Sequence, residues 1–130
     1  MTWSVLIHDR FEDELVRLTE DLQDELFAHA RLLARFGPNL GRPTVDRLKG
    51  SKHANMKELR FNWDGGVWRV AFAFDPRRQA ILLVGGNKGG VDQKRFYKHL
   101  LTIADARFDE HLTSLVAVRS KEDSRGKKTR

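Results

Sequence analysis

The order of patterns along the chain predicts an α+β fold: a strand, two helices, a three-stranded antiparallel meander and a closing helix. Three observations carry this reading. Met56 to Phe61 and Val67 to Phe74 alternate on either side of Asp64-Gly65, the signature of a hairpin. Leu22, Leu26, Ala30 and Leu33 recur at helical spacing, and Phe96, Leu100, Ile103, Ala104, Phe108 and Leu112 do so again near the end. With 130 residues there is room for one domain, which excludes a two-domain, doubly wound nucleotide enzyme.

Trp3 to Ile7 is short, apolar and partly β-branched, so it reads as the first strand. Phe11, Leu15 and Leu18 start a first helix. Thr19, followed by Glu20 and Asp21, caps a second helix that Gly37 and Pro38 stop. Gly37 to Pro43 is a connecting loop. In the meander, Leu59 and Phe61 share one face with Trp68, Val70, Phe72 and Phe74, while Met56, Glu58 and Arg60 face the other way with Arg69, Ala71 and Ala73. Asp75-Pro76-Arg77-Arg78 turns into Ala80 to Val84, an unbroken apolar run. Glycines 85, 86, 89 and 90 interrupt the pattern, and Asp92 caps the last helix. Beyond residue 115 the apolar period lapses, giving a domain over 1–115 and a basic, flexible tail over 116–130.

The chain has no Cys, which removes disulfides and thiol chemistry. No apolar run approaches a membrane span and no export segment precedes the first strand, so the default compartment is the cytoplasm. No His or carboxylate spacing suggests a metal site, and no cofactor motif is present. Net charge is +6, but it is uneven: residues 37–100 hold 13 basic and 5 acidic groups, whereas the first 36 residues are acidic. A field of this kind attracts polyanions, nucleic acid above all.

Register gives this charge a place. Centring the hairpin on Asp64-Gly65 pairs Phe61 with Trp68 in the core and Arg60 with Arg69 on the other face. Like charges opposite one another are destabilising, so the pair makes sense with an anion between them. Parity puts Lys88 on the same face, one strand over, and the three cations would form a phosphate cradle. The plainer alternative is that Glu58 neutralises one arginine. Lys49, Lys52, His53 and Lys57 lie at the edge of this surface, or form a solvated loop; the three lysines, with Lys94 and Arg95, are RNA-binding candidates, and His53 is a candidate proton carrier. Tyr97, beside Lys94 and Arg95, is free to lie towards the sheet rim, where it would stack on a base or assist proton transfer, unless it is an ordinary boundary residue.

Leu48-Lys49-Gly50-Ser51, Lys57-Glu58-Leu59-Arg60, Gly66-Val67-Trp68-Arg69-Val70-Ala71-Phe72, Ile81-Leu82-Leu83, Lys88 and Arg95-Phe96-Tyr97 stand in an order that resembles HigB-type toxins of the RelE/ParE superfamily. The resemblance spans roughly residues 3–112. It implies a RelE-like fold and a type II toxin, an endoribonuclease that cleaves messenger RNA, usually on the ribosome, and is neutralised by a helix-turn-helix antitoxin. Carried over by position, its functional residues fall on Arg60, Arg69, Lys88 and Tyr97. The implied reaction is attack of a 2′-hydroxyl on the adjacent phosphate, without metal. Arg60, Arg69 and Lys88 would supply charge, Glu58 or His53 would accept a proton, and Tyr97 would donate one. Two other readings stay open: a non-catalytic, ParE-like inhibitor that binds DNA gyrase, and a plain nucleic-acid or partner-binding module.

Overall fold

The computed structural model describes residues 2–128, with side chains placed through Val118. Ser4–Ile7 (β1) leads into Asp9–Leu15 (α1) and Glu20–Phe36 (α2); Val45–Arg47 (β2), Met56–Trp63 (β3), Gly66–Phe74 (β4) and Gln79–Asn87 (β5) follow, and Gln93–Lys128 (α3) closes the chain. The five strands form one sheet in the order β1-β5-β4-β3-β2, antiparallel except for β1 beside β5. Among the described residues no helix is long and apolar enough to cross a membrane.

Local chemistry sets the ends of these elements. The Thr19 hydroxyl accepts from the Leu22 N–H at 3.3 Å, filling one of the orphan donors at the start of α2. Gly37 ends that helix at φ 56°, and a Cβ there would fall 2.3 Å from the Trp3 indole, so glycine is required twice over.

The sheet is buried on both faces. Leu22, Leu26, Ala30 and Leu33 of α2 and Phe11 and Leu15 of α1 pack on Leu59, Phe61, Val70, Phe72 and Leu82. On the other face Leu100, Ala104 and Phe108 of α3 meet Met56, Ala71, Ala73, Ile81 and Leu83. Each fully buried Leu or Phe contributes about 1.5–3 kcal/mol of transfer free energy, which makes these two clusters the main source of stability.

Leu83 is an extra residue in β5, because Ala71 pairs with Val84 and Phe72 with Leu82. The bulge leaves the Leu83 carbonyl free to accept from buried Arg107 Nη1 at 2.8 Å, and the same guanidinium grips Glu14 of α1 through two bonds. The hydrogen bond from Arg107 holds the Glu14 carboxyl below its ordinary value.

Three expectations change. A short edge strand, β2, forms just after the Gly37 to Pro43 loop, in a stretch for which no element was expected, pairing Val45 with Leu59 and Arg47 with Lys57. Gly85 and Gly86 do not end the fifth strand; they continue it, since a Cβ at these positions would press on Phe11 and Val70 on one side and Phe96 on the other. The last helix does not stop near residue 115 but runs to Lys128. An apolar stripe is needed to pack a helix and not to wind one, and the Lys, Glu and Arg beyond that point favour the helical state. The last two residues of the expected tail lie outside the described residues.

Candidate active site

α3 covers only part of its side of the sheet. Along β3 the residues on this face run Met56, Glu58, Arg60, and along β4 they run Ala73, Ala71, Arg69, so each strand passes from apolar to charged as it leaves the helix. Lys88, just past β5, continues this face, its N–H bonded to the Val67 carbonyl at 2.8 Å. Gln93, Lys94 and Tyr97 of the first turns of α3 form the opposite wall of a groove of about 600 Å³, whose floor and rim include Arg42, Asp46, Arg47, Lys49, Glu58, Arg60 and Lys88.

At the head of this groove the expected register is observed, with Arg60 directly opposite Arg69. The two guanidinium groups are not, however, an exposed pair. Arg69 is 6% exposed, its Nε lies 3.1 Å from Glu58 Oε1, and its Nη1 donates to the Trp68 carbonyl at 2.9 Å. The approach of Nε to Glu58 is close but off-line, so an ion pair forms without an aligned hydrogen bond. Arg60 remains half-exposed, with Nη1 3.8 Å from Asp46 Oδ2 across β2. Each arginine thus has a carboxylate on a neighbouring strand, which explains how the sheet tolerates like charges face to face. Glu58 does neutralise one of them, Arg69.

The Tyr97 hydroxyl donates to the same Glu58 Oε1 at 2.8 Å. Burial first, and then the hydrogen bond and charge of Glu58, push the Tyr97 phenol above its ordinary value, with Arg69 opposing, so Tyr97 carries its proton at neutral pH. Lys88 holds its Nζ 5.5 Å above the Tyr97 ring. Burial, then the charges of Arg69 and Arg60, lower its pKa against the pull of Glu58.

The remaining candidates divide. Lys49 and Lys94 line the groove. Lys57 does not: parity sends it to the α2 side of the sheet, where it lies 5.5 Å over the Phe74 ring. His53 is not in the groove either, because its Nε2 is 2.8 Å from Asp109 of α3 and its ring meets Phe108 edge-on. Lys52 pairs with the same Asp109, so this loop is fastened along the helix away from the charged end of the sheet. Arg95 is exposed on α3 beside the groove without lining it. Sequence reasoning passed over Arg42, Asp46 and Arg47, which border the groove because β2 forms; three residues are too few for alternation to show. Among the described residues no group of His, Asp and Glu is placed to hold a metal ion.

Comparison with known proteins adds a family to this geometry. The family model described as "Phage derived protein Gp49-like (DUF891)" matches residues 13–109. A Mycobacterium tuberculosis protein named "Putative toxin HigB2" is 40% identical over 120 residues, covering 92% of this chain, which spans 59% of that protein's length. Another from the same organism, named "Putative toxin HigB3", is 42% identical over 111 residues, 85% of this chain and 95% of that one. In structure the chain is similar to the E. coli toxin RelE in its free state, with a TM-score of 0.54 at 10% identity over 78% of this chain and 96% of that one. It is also similar to a chain of the toxin-antitoxin complex RelBE2 from M. tuberculosis, with a TM-score of 0.53 at 13% identity, 67% and 99% covered. At these identities the structural matches bear on the fold.

Proposed function

This chain belongs to the Gp49-like family, among the HigB-type toxins of the RelE/ParE superfamily, and from that premise we propose that it is a metal-independent endoribonuclease that cleaves messenger RNA, on the ribosome, to arrest translation in the cytoplasm. The observation that carries this is the Tyr97–Glu58–Arg69 cluster at the head of a basic groove. A helix-turn-helix antitoxin is the partner that restrains it.

The chemistry follows from the contacts. Arg60 and Lys88 face the groove and hold the phosphate, where added negative charge in the transition state rewards fixed cations. The Glu58 carboxylate takes the proton of the attacking 2′-hydroxyl. The new bond joins that oxygen to phosphorus; the bond to the 5′-oxygen breaks, and this oxygen takes the Tyr97 proton. The products are a 2′,3′-cyclic phosphate and a free 5′-hydroxyl. Glu58 then carries a proton beside a Tyr97 phenolate along a 2.8 Å hydrogen bond, and its return resets both groups without help from solvent. Arg69 acts through Glu58: its Nε, 3.1 Å from Glu58 Oε1, holds the carboxylate in place beside Tyr97.

One observation favours a second reading, a ParE-like inhibitor that binds DNA gyrase without catalysis. Arg69, one of the two arginines offered for phosphate, is committed to Glu58. Mapping RNA ends after the purified chain meets translating ribosomes decides between them. The nuclease reading expects 5′-hydroxyl ends that Tyr97→Phe reduces by about 10²-fold or more, the usual size of a general-acid contribution. Intact RNA with gyrase-dependent DNA breaks would establish the second reading.

A further inference from the structure

Lys88 reaches the groove from a stretch with little of its own to hold it still. Gly85-Gly86 precede Asn87 and Lys88, Gly89-Gly90 follow them, and the chain leaves the sheet directly after Asn87. Glycine-rich backbone gives up the most freedom on being fixed, so a cation placed there needs an anchor.

The side chain of Asn87 is that anchor. Val67 and Lys88 stand opposite one another where β4 begins and β5 ends, and the Lys88 N–H donates to the Val67 carbonyl at 2.8 Å. A regular ladder would return a bond from the Val67 N–H to the Lys88 carbonyl. Instead the Val67 N–H donates to Asn87 Oδ1 at 3.0 Å, and the same oxygen accepts from the Gly89 N–H at 2.9 Å. A side-chain oxygen thus stands in for the Lys88 carbonyl, so the chain can turn away at Gly89 while Lys88 stays in register. The amide sits where two glycines leave room: a Cβ on Gly66 would fall 2.7 Å from its Nδ2, and one on Gly89 would fall 3.1 Å from its Oδ1. Held in this way, Lys88 lines the groove with Nζ 5.5 Å over the Tyr97 ring.

We propose that Asn87 is a positioning residue of the phosphate site, which acts through Lys88 by fixing where its charge meets the phosphate. The proposal rests on the groove being the site of RNA cleavage. Both bonds to Oδ1 are exposed, so in Asn87→Ala water takes over the two N–H groups and the fold survives, while Lys88 is released between its glycines.

Tyr97 is the chain's one tyrosine, so its labelled ring gives a single probe of where Lys88 lies. In the full chain, nuclear Overhauser contacts between that ring and the Lys88 ε-methylene are expected in the parent and in Asn87→Asp, which keeps the accepting oxygen, and are lost in Asn87→Ala. In single-turnover cleavage of ribosome-bound messenger RNA, Asn87→Ala slows the reaction by about 10²-fold, the effect of a misplacement of about an ångström. In a Lys88→Ala background the same substitution changes the rate by less than about twofold. Ring contacts that persist in Asn87→Ala, or an equal defect with and without Lys88, would overturn the proposal and leave the nuclease reading in place. A parent chain that cleaves no RNA would overturn the nuclease reading and take the role of Asn87 with it, whatever the ring contacts show.

Discussion

Replacing Glu58 with Gln keeps the size of the side chain and an oxygen for Tyr97, but removes the charge that faces Arg69. The side chains of Arg69 and Glu58 are only 7% and 9% exposed, so solvent screens the loss little. What remains is a buried guanidinium whose nearest carboxylate is gone. Breaking a buried pair by removing one partner costs about 3–5 kcal/mol. With a urea slope of about 2 kcal/mol per molar, a 4 kcal/mol loss moves the unfolding midpoint down by about 2 M. Tryptophan fluorescence reads the transition, since Trp63 and Trp68 flank the hairpin turn. A double variant, Glu58→Met with Arg69→Met, strands neither charge and is expected to be clearly more stable than the sum of the two single losses implies. A Glu58→Gln protein within about 1 kcal/mol of the parent, or strictly additive single variants, would mean that the pair is not energetically coupled.

Other substitutions probe the groove. Asp46 lies across from Arg60 and Arg42 and competes with phosphate for them, so Asp46→Asn is expected to tighten RNA binding a few-fold in a salt titration; unchanged or weaker binding would show that Asp46 does not compete. Lys88 has a folded pKa below its unfolded value, so between the two the unfolded chain binds more protons and stability rises with pH. Over the same alkaline range, below the ordinary Lys value, Lys88 loses its charge and affinity for a 2′-O-methyl oligomer falls; Lys88→Arg should abolish that fall, and a fall that persists would place its cause elsewhere. His53→Ala should leave the cleavage rate unchanged, because its ring is bound to Asp109, while costing about 0.5–1.5 kcal/mol of stability through the lost Phe108 contact. A collapsed rate in a folded His53→Ala protein would return His53 to the chemistry.

Much of the fold is legible because burial repeats. The α2 face of Leu22, Leu26, Ala30 and Leu33 is buried, and the odd-sum register that places Arg60 opposite Arg69 follows from keeping Phe61 and Trp68 on one side. Where local signals and packing disagree, the local signal misleads. Gly85 and Gly86 look like a strand end and instead make room for Phe11 and Phe96. The site is legible in its strand residues and less so in its loops. Glu58, Arg60 and Arg69 share a face by parity alone, and parity also sends Lys57 to the opposite side; Lys88 joins the face of the first three because the bulge at Leu83 shifts the phase of β5, whose Ala80 and Leu82 lie on the α2 side. Nothing in Lys52-His53 announces that Asp109, more than fifty residues on, holds both. That Arg69 would turn to Glu58 depends on burial, which a pattern of alternation does not measure.

A leaving-group substitution tests the role of Tyr97 most directly. Single-turnover cleavage is measured for the parent and Tyr97→Phe on an RNA with its ordinary scissile 5′-oxygen, and on one with sulfur in its place, whose thiolate departs without needing a proton. If Tyr97 protonates the leaving oxygen, the defect is about 10²–10⁴-fold on oxygen and shrinks to a few-fold on sulfur. An equal defect on both substrates, or none on either, would contradict it.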